Sequence, residues 1–245
     1  MPEPGSRRGR AHDAEGAREA ILNAAEEVFA EHGFDGARID AIAELAGYNK
    51  SLIFHYYGDK LALYRAVLQR LDRQGAELQA GIIGPLLADE GSTSDPDKFR
   101  TFLGVAVRLI FDLLIENPRM TRMLAWEAAE GWHTYRKIAS QFNTEDVKMF
   151  RQILGQARDA GLIRSGIDPA MVFSIAYATC VSYLNSIPLM EMTFDEEDLS
   201  SQEALIRARE IIVEFVIHGI MADPEGTKRQ VSGNNPDASC RIDYS

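Results

Sequence analysis

A short run of polar, basic and aromatic side chains near the amino end of the chain has the spacing needed to bind nucleic acid. Residues 39–60 read IDAIAELAGYNKSLIFHYYGDK. The pattern predicts a short amphipathic helix over 39–46, a tight turn at Gly47 and a second short helix over 50–57. Two short helices joined by a three- or four-residue turn that contains glycine form a helix-turn-helix. In this motif the second helix lies in the DNA major groove, and residues near its N-terminus reach base edges.

Helical spacing divides the second of these helices into an inward and an outward face. Ile53 and Tyr57 lie four residues apart and share the inward face. The outward positions are Lys50, Ser51, Phe54 and the tip of Tyr56. A lysine in the first turn can reach a guanine edge or a phosphate. At the start of the next helix, Lys60 lies where backbone N–H groups and the helix dipole favour a phosphate.

The charge of the chain restricts where it can bind nucleic acid. The formal net charge is −11, and residues 1–60 hold seven Arg or Lys against eleven Asp or Glu. Because non-specific DNA binding is driven by basic residues that release counterions, this balance argues against general affinity for nucleic acid. Any DNA surface must be local, and the acids of the first helix are expected to face solvent: Glu15, Glu19, Glu26, Glu27 and Glu31. The basic arm at Arg7–Arg10 either contacts the minor groove, as other N-terminal arms do, or is a flexible solubilising tail.

Hydrophobic periodicity predicts an all-α chain with two domains. We expect a disordered basic arm over 1–13, a three-helix helix-turn-helix domain over 14–60, a larger helical domain over 61–221 and a disordered tail over 222–245. The predicted helices cover 14–31, 39–46, 50–57, 60–80, 96–116, 118–130, 143–160, 168–187 and 200–221, with a break at Gly84-Pro85 and a stop at Pro188. No apolar run approaches the roughly 18 residues of a membrane span, so we expect no membrane partner.

The sequence predicts neither a catalytic site nor a metal site. The five histidines form no metal-binding pair, and the chain has no Gly-rich phosphate loop and no Gly-x-Ser-x-Gly elbow. We therefore expect a non-enzyme without a cofactor. Cys180 and Cys240 are far apart and no export signal precedes them, so we interpret both as reduced thiols of a cytoplasmic protein.

The DNA-binding tract also resembles a particular family. AIAELAGYNKSLIFHYYGDKLALYRAVL strongly resembles the DNA-binding region of the tetracycline-repressor (TetR) family of bacterial transcriptional regulators, and AILNAAEEVFAEHGFDG resembles its first helix and turn. IENPRMTRMLAWE and GLIRSGIDPAMVF resemble its regulatory domain. The resemblance implies a homodimer on a palindromic DNA operator, with a C-terminal helical domain that binds a small-molecule effector and forms the dimer, usually in a repressor. The alternative is a helical protein–protein interaction module with a vestigial DNA-binding domain.

The motif departs from the family pattern at five positions. Leu52 replaces a frequent Thr and can contact only apolar groups such as a thymine methyl, while Phe54 replaces Tyr and lacks its hydroxyl. Tyr56 replaces a frequent His, Arg38 replaces the Thr that begins the second helix, and Tyr48 replaces a Val in the turn. The DNA-binding residues predicted from chemistry and resemblance together are Arg38, Tyr48, Lys50, Ser51, Leu52, Phe54, Tyr56 and Lys60.

Aromatic and methionine side chains of the second domain are candidates for an effector pocket. The predicted lining is Phe102, Met123, Trp126, Phe150, Phe173 and Tyr177. Helical spacing favours core packing for each of them individually. Trp126 and Trp132 also flank Glu127 and Glu130, a cluster that could hold a planar or cationic ligand. The alternative, which we favour, is that these two carboxylates face water.

The last two long helices have apolar stripes wider than one packing contact needs. Two copies of each helix would make a four-helix bundle with isologous contacts, the common symmetry of a homodimer. Burial of both stripes inside one chain is the alternative. The dimer is favoured because palindromic DNA sites require paired recognition helices about one turn apart.

Overall fold

The chain folds into α-helices, as the sequence predicts. A computed structural model describes residues 5–87, 90–142, 145–194 and 198–222, and among these it describes the side chains of 14–73, 84, 91–142, 148–194 and 198–222. The helices are α1 Gly5–Gly36, α2 Ile39–Ala46, α3 Lys50–Tyr57, α4 Lys60–Leu87, α5 Pro96–Glu116, α6 Pro118–Ala129, α7 Tyr135–Ile138, α8 Glu145–Asp159, α9 Pro169–Phe194 and α10 Gln202–Ile220. Across these ranges the only β pairing is an isolated bridge between Ile163 and Met221. The predicted all-α fold is confirmed.

Three helices differ in length from the prediction. Helix α1 begins at Gly5, so residues 5–13 are helical where a disordered arm was predicted. Three arginines, which are good helix formers, lie in this stretch, and no proline interrupts it. Helix α4 passes through the predicted break at Gly84-Pro85, and α9 passes through Pro188 to Phe194. A long helix can retain a proline because it loses only the local hydrogen bonds there. The predicted tail of residues 223–245 lies outside the described residues.

The first hydrophobic core is formed by the four helices α1, α2, α3 and α4, and it extends beyond them. It contains Phe29, Ile42, Ile53 and Tyr64, all fully or almost fully buried. Met123 of α6 and Ile138 of α7 complete the same core. The predicted domain boundary at residue 60 stays a prediction, but the hydrophobic packing of the N-terminal unit crosses it.

Ion pairs on the flank of α1 also join the N-terminal helices to the rest of the chain. Arg70 of α4 pairs with the nearly buried Glu26, and its Nη1 lies 3.4 Å from a carboxylate oxygen of Glu19. Arg119 of α6 donates to Glu27 over 2.6 Å. The prediction that these acids simply face solvent was wrong for Glu26. The reason is that basic residues distant in sequence pack against the acidic face of α1.

The second core joins α5, α8, α9 and α10. Fully buried members include Phe99, Phe102, Phe111, Leu154 and Cys180. Burial raises the pKa of the Cys180 thiol to about 11, so the thiol stays protonated as in an inert core cysteine. At the edge of this core Arg108 makes a bidentate ion pair with Glu210, with Nε 3.0 Å from Oε1 and Nη2 2.5 Å from Oε2.

Helix α9 is more apolar than the sequence pattern suggested. Among the described residues it alone is long and apolar enough to cross a membrane, judged by length and composition only. The expectation that no stretch approaches this limit was wrong, because the polar residues of α9 up to Glu191 are uncharged. One face of α9 packs against α5 and α10, and 22% of its most apolar stretch is buried in the single chain.

Candidate DNA-binding surface and effector pocket

The turn between α2 and α3 has the geometry of a helix-turn-helix. Helix α2 ends at Gly47, whose φ of 73° and ψ of 23° lie in the left-handed region that glycine adopts without a Cβ clash. The Gly47 N–H donates back to the carbonyls of Ala43 and Glu44, which satisfies the end of α2. Asn49 then caps α3, because its Oδ1 accepts the backbone N–H of Leu52 at 2.9 Å. These local bonds fix the orientation of α3 relative to α2.

The basic side chains of this surface are accessible. Arg38 is 81% exposed and lies 4.0 Å from a carboxylate oxygen of Asp40. Lys50 is about half exposed, and its Nζ lies 2.5 Å from Oδ1 of the same Asp40. An exposed ion pair contributes roughly 0–1 kcal/mol. Lys50 can therefore exchange Asp40 for a DNA phosphate or base at little cost, and Asp40 holds it at the N-terminus of α3 until then.

The neutral side chains divide between surface and core. Ser51, Tyr48 and Phe54 are exposed. Phe54 is 44% exposed on this short helix, so it is a candidate for apolar contact with DNA bases or sugar rings. Leu52 is only partly accessible, because part of its side chain packs against the first core.

Two predicted residues are also held by contacts within the protein. The Tyr56 ring lies 4.9 Å from the guanidinium carbon of Arg18, and the neighbouring Tyr57 hydroxyl donates to the Arg18 carbonyl at 3.1 Å. These contacts fasten α3 to α1. The Lys60 ammonium donates to the Asp35 carbonyl at 3.2 Å and lies 4.7 Å from the centre of the Phe34 ring.

Burial lowers the pKa of the Lys60 ammonium, and nearby Asp35 partly opposes this. The Lys60 side chain therefore anchors α4 in this structure. The backbone N–H groups at the start of α4 stay the predicted phosphate donors, next to Asp59, whose Oδ1 caps the Ala62 N–H at 2.7 Å.

An open pocket of about 510 Å³ lies between α6, the turn that follows it and α9. Its lining is mostly apolar with a few neutral polar groups: Leu124, Ala125, Ala128, Trp132, Tyr177, Val181, Ser182, Asn185, Ser186 and Leu189. A volume of this size lies in the range of roughly 300–1,000 Å³ typical of small-molecule sites.

The structure does not bring the six predicted pocket residues together. Tyr177 lines the pocket. Phe102 is fully buried in the second core and Met123 in the first. The Trp126 indole N–H donates to the Ala30 carbonyl at 3.3 Å.

The remaining two predicted residues form an aromatic row beside the pocket. The Phe150 and Phe173 ring centres are 5.7 Å apart, and Phe173 stacks on Tyr177. Sequence analysis missed Ser182, Asn185 and Ser186. The available signal was the four-residue spacing of positions 177, 181, 185 and 189, which puts one stripe of α9 beside α6.

Helix α6 connects this pocket to the N-terminal unit. Glu127 is 1% exposed, and its two oxygens accept from the Tyr64 hydroxyl and the Tyr135 backbone N–H, both at 2.9 Å. The favoured prediction that Glu127 faces water was wrong, because α4 and α7 close over it. Burial and then the Glu127 carboxylate raise the pKa of the Tyr64 hydroxyl. Gly33 of α1 lies directly under Trp126, where an added Cβ would be 3.2 Å from the indole ring.

The fold and the recognition surface define a helix-turn-helix DNA-binding protein with a C-terminal helical domain. Residues 21–67 match the family described as bacterial regulatory proteins, tetR family. Residues 101–216 match the tetracyclin repressor-like C-terminal domain. The chain belongs to the TetR family, and it is a DNA-binding transcriptional regulator. The predicted family and the predicted DNA-binding regulatory function are confirmed.

Three known proteins show the extent of the similarity. The HTH-type transcriptional repressor NicS of Pseudomonas putida is 27% identical over 213 residues, which cover 86% of this chain and 95% of NicS. The HTH-type transcriptional regulator RutR of Escherichia coli K12 is 30% identical over 192 residues, covering 76% of this chain and 81% of RutR. The crystal structure of SCO4942 from Streptomyces coelicolor has a TM-score of 0.54 at 25% identity, covering 83% and 98% of the two chains.

Proposed function

We propose that this protein is a cytoplasmic transcriptional repressor that binds a palindromic operator as a homodimer and leaves it when an effector occupies the α6–α9 pocket. The observation that carries the proposal is the short, capped helix α3, which presents Lys50 and Ser51 at its exposed N-terminus. Each chain offers one such helix, so a two-fold dimer would offer the pair that a palindrome requires. The name of NicS, a repressor, supports the direction of regulation.

Exposed apolar side chains on α9 and α10 support the dimer. They include Met192, Phe194, Ile206, Ile211 and Phe215, which are 46–77% exposed in the single chain. A monomeric protein rarely leaves large apolar side chains clustered on neighbouring helices. Contact between two copies of these helices would bury them and form the four-helix bundle expected from the sequence.

Helix α6 provides a path from effector to DNA. Leu124, Ala125 and Ala128 of this helix line the pocket, while Trp126 and Glu127 contact α1 and α4. A ligand that moves α6 would therefore displace α1 and α4, and with them the two α3 helices of the dimer. The ligand shifts this equilibrium only by the difference between its affinities for the two states. A cognate ligand that leaves operator affinity unchanged would contradict this mechanism.

Selection from a random duplex pool tests the proposal. Purified protein should enrich a palindrome whose half-sites lie about one helical turn apart, and binding should weaken steeply with salt. Absence of any enriched sequence at modest ionic strength would contradict DNA recognition. Enrichment of a single half-site by a monomer would contradict the dimer.

A pair of surface variants tests the dimer separately. Ile211→Arg on α10 should yield a monomer that loses the full palindrome. Met149→Arg, which charges an exposed apolar side chain on α8, should stay dimeric and bind normally. Sedimentation reports the assembly and fluorescence anisotropy with the selected duplex reports binding. Equal behaviour of the two variants would exclude α10 from the interface.

A further inference from the structure

The side chains around the α6–α9 pocket restrict the chemistry of the molecule it can hold. Among the described residues, those that line the pocket include no Asp, Glu, Lys, Arg or His. The one acid nearby on α6, Glu127, is buried on the opposite side of the helix by Tyr64 and Tyr135. A charged ligand group placed in this pocket would therefore gain no ion partner from the side chains that line it.

The pocket does offer neutral hydrogen-bonding groups without protein partners. Within the described part of the chain, the Ser182 hydroxyl, the Asn185 amide and the Trp132 indole N–H make no hydrogen bond to other residues, and neither does the Tyr177 hydroxyl. Burial raises the pKa of the Tyr177 hydroxyl, so it stays protonated and can both donate and accept. The set therefore contains donors and acceptors but no charge.

Two aromatic rings of the pocket favour a ligand of planar shape. Trp132 lines the pocket from the turn after α6, and Tyr177 lines it from helix α9. Trp132 has a φ of 62°, and it is the one non-glycine residue with positive φ among those the structure describes. A bulky side chain rarely adopts this conformation, and such strain concentrates at ligand-binding positions.

Arg136 holds the strained turn in place. Its guanidinium donates to the carbonyls of Gly131 at 2.5 Å and of Trp132 at 3.3 Å. The turn thus presents the indole ring to the pocket even without a ligand.

From these three features we infer that the α6–α9 pocket binds an uncharged, planar aromatic molecule that carries both hydrogen-bond donors and acceptors. This inference rests on the proposed function, in which the same pocket is the effector site. It excludes carboxylates, phosphate esters and organic cations as the principal ligand class.

A pair of matched fluorescent probes tests the inference. N-phenyl-1-naphthylamine is neutral, and 8-anilinonaphthalene-1-sulfonate is the same ring system with one added sulfonate. Titration uses the Trp126→Phe variant, in which Trp132 is the only tryptophan, so that energy transfer from Trp132 reports binding beside it. The neutral probe should bind once per chain, and the sulfonate should bind at least about tenfold more weakly because its charge finds no partner.

Neighbouring alanines supply the matched control for location. Ala128→Phe fills the pocket and should abolish binding of the neutral probe, whereas Ala129→Phe changes the adjacent, exposed residue that does not line it. A second pair controls for charge. Asn185→Lys should raise the affinity for the sulfonate about tenfold by supplying a cation. Gln152→Lys, at an exposed position on α8, should leave that affinity unchanged.

Each remaining outcome overturns the inference. Equal or tighter binding of the sulfonate by the parent protein, or tighter binding of the planar cation rhodamine 6G, would contradict an uncharged ligand class. No binding of the neutral probe, or binding that Ala128→Phe leaves intact, would exclude this pocket. Anisotropy with the selected duplex is measured on the same samples without probe. Absence of DNA binding by the parent protein without probe would contradict the proposed function, independently of the probe results.

Discussion

The recognition surface draws its side chains from residues 38–60, whereas the pocket joins residues 124–132 of one segment to 177–189 of another. In the first case short helices, glycine turns and an Asn cap determine the geometry locally. In the second case the site exists only where α6 and α9 meet. Helix α6 belongs partly to both regions, because Met123 completes the N-terminal core while Leu124 lines the pocket.

This difference shows why similar aromatic side chains have unrelated roles. Phe54 is exposed because α3 is short and packs on one side only. Phe102 is fully buried because α5 packs against four other helices, α4, α6, α9 and α10. Composition and helical spacing describe both residues equally well, so position in the tertiary structure decides between core, DNA surface and pocket.

The largest expected effect separates core from pocket in the C-terminal region. Phe102→Ala should lower the free energy of unfolding by about 3–5 kcal/mol, because it leaves a cavity among buried rings. Phe173→Ala removes the same side chain from a site that is 40% exposed. It should lower the free energy of unfolding by about 1 kcal/mol or less. Urea denaturation of both variants checks this. Equal losses would contradict the assignment of Phe102 to the core.

The next effect tests the junction between the two regions. Glu127→Ala should destabilise the protein by about 3 kcal/mol, because it leaves the Tyr64 hydroxyl and the Tyr135 N–H buried without a partner. Glu130→Ala, three residues further on and exposed, is the control and should have little effect. Denaturation curves measure both. If the two variants are equally stable, the buried carboxylate does not hold α6 to α4.

A smaller effect is expected at the recognition helix, and it should appear in DNA binding rather than in folding. Lys50→Ala should weaken binding to the selected duplex by about tenfold, or about 1–2 kcal/mol, while the unfolding free energy changes little. Lys137→Ala removes the same charge from an exposed position on α7 and is the control. Anisotropy measures affinity for both. Unchanged operator affinity in Lys50→Ala would count against the proposed orientation of α3.

The smallest effect concerns the ion pair at the edge of the second core. The hydrogen bond from Arg108 is the main cause that lowers the pKa of the Glu210 carboxyl. Because the pKa of Glu210 is lower in the folded protein than in the unfolded chain, its ionised form stabilises the folded state at any pH above the unfolded-state pKa of about 4.3. This stabilisation is lost as the pH falls through the folded-state pKa. Both side chains are about 40% exposed, so the contribution is no more than about 1 kcal/mol.

Glu210→Gln provides the measurement for this pair. The stability difference between parent and variant should be largest near pH 7 and should shrink as pH falls below about 4.5. Urea denaturation at several pH values follows it. A difference that grows on acidification would reverse the sign and contradict the lowered pKa.

The sequence predicted the helices best where local chemistry controls them. The bounds of α2, α3 and α5 agree with the prediction, because Gly47 ends α2 and Asn49 and Asp95 cap α3 and α5 as capping rules describe. Prediction failed at Pro188 and at Gly84-Pro85, which α9 and α4 pass through, because a long helix loses only local hydrogen bonds at such residues. It also failed at Glu127, since no local pattern shows that two distant tyrosine groups will cover a carboxylate.

By itself the sequence determined the all-α class, the helix-turn-helix and the family, because these depend on short-range periodicity and on contiguous motifs. Only the tertiary structure decided that Glu127 is buried, that Met123 belongs to the N-terminal core and that Tyr177, but not Phe102, lines the pocket. The physical reason is that an apolar stripe on a helix specifies burial but not the partner. The partner follows from how all the helices pack together.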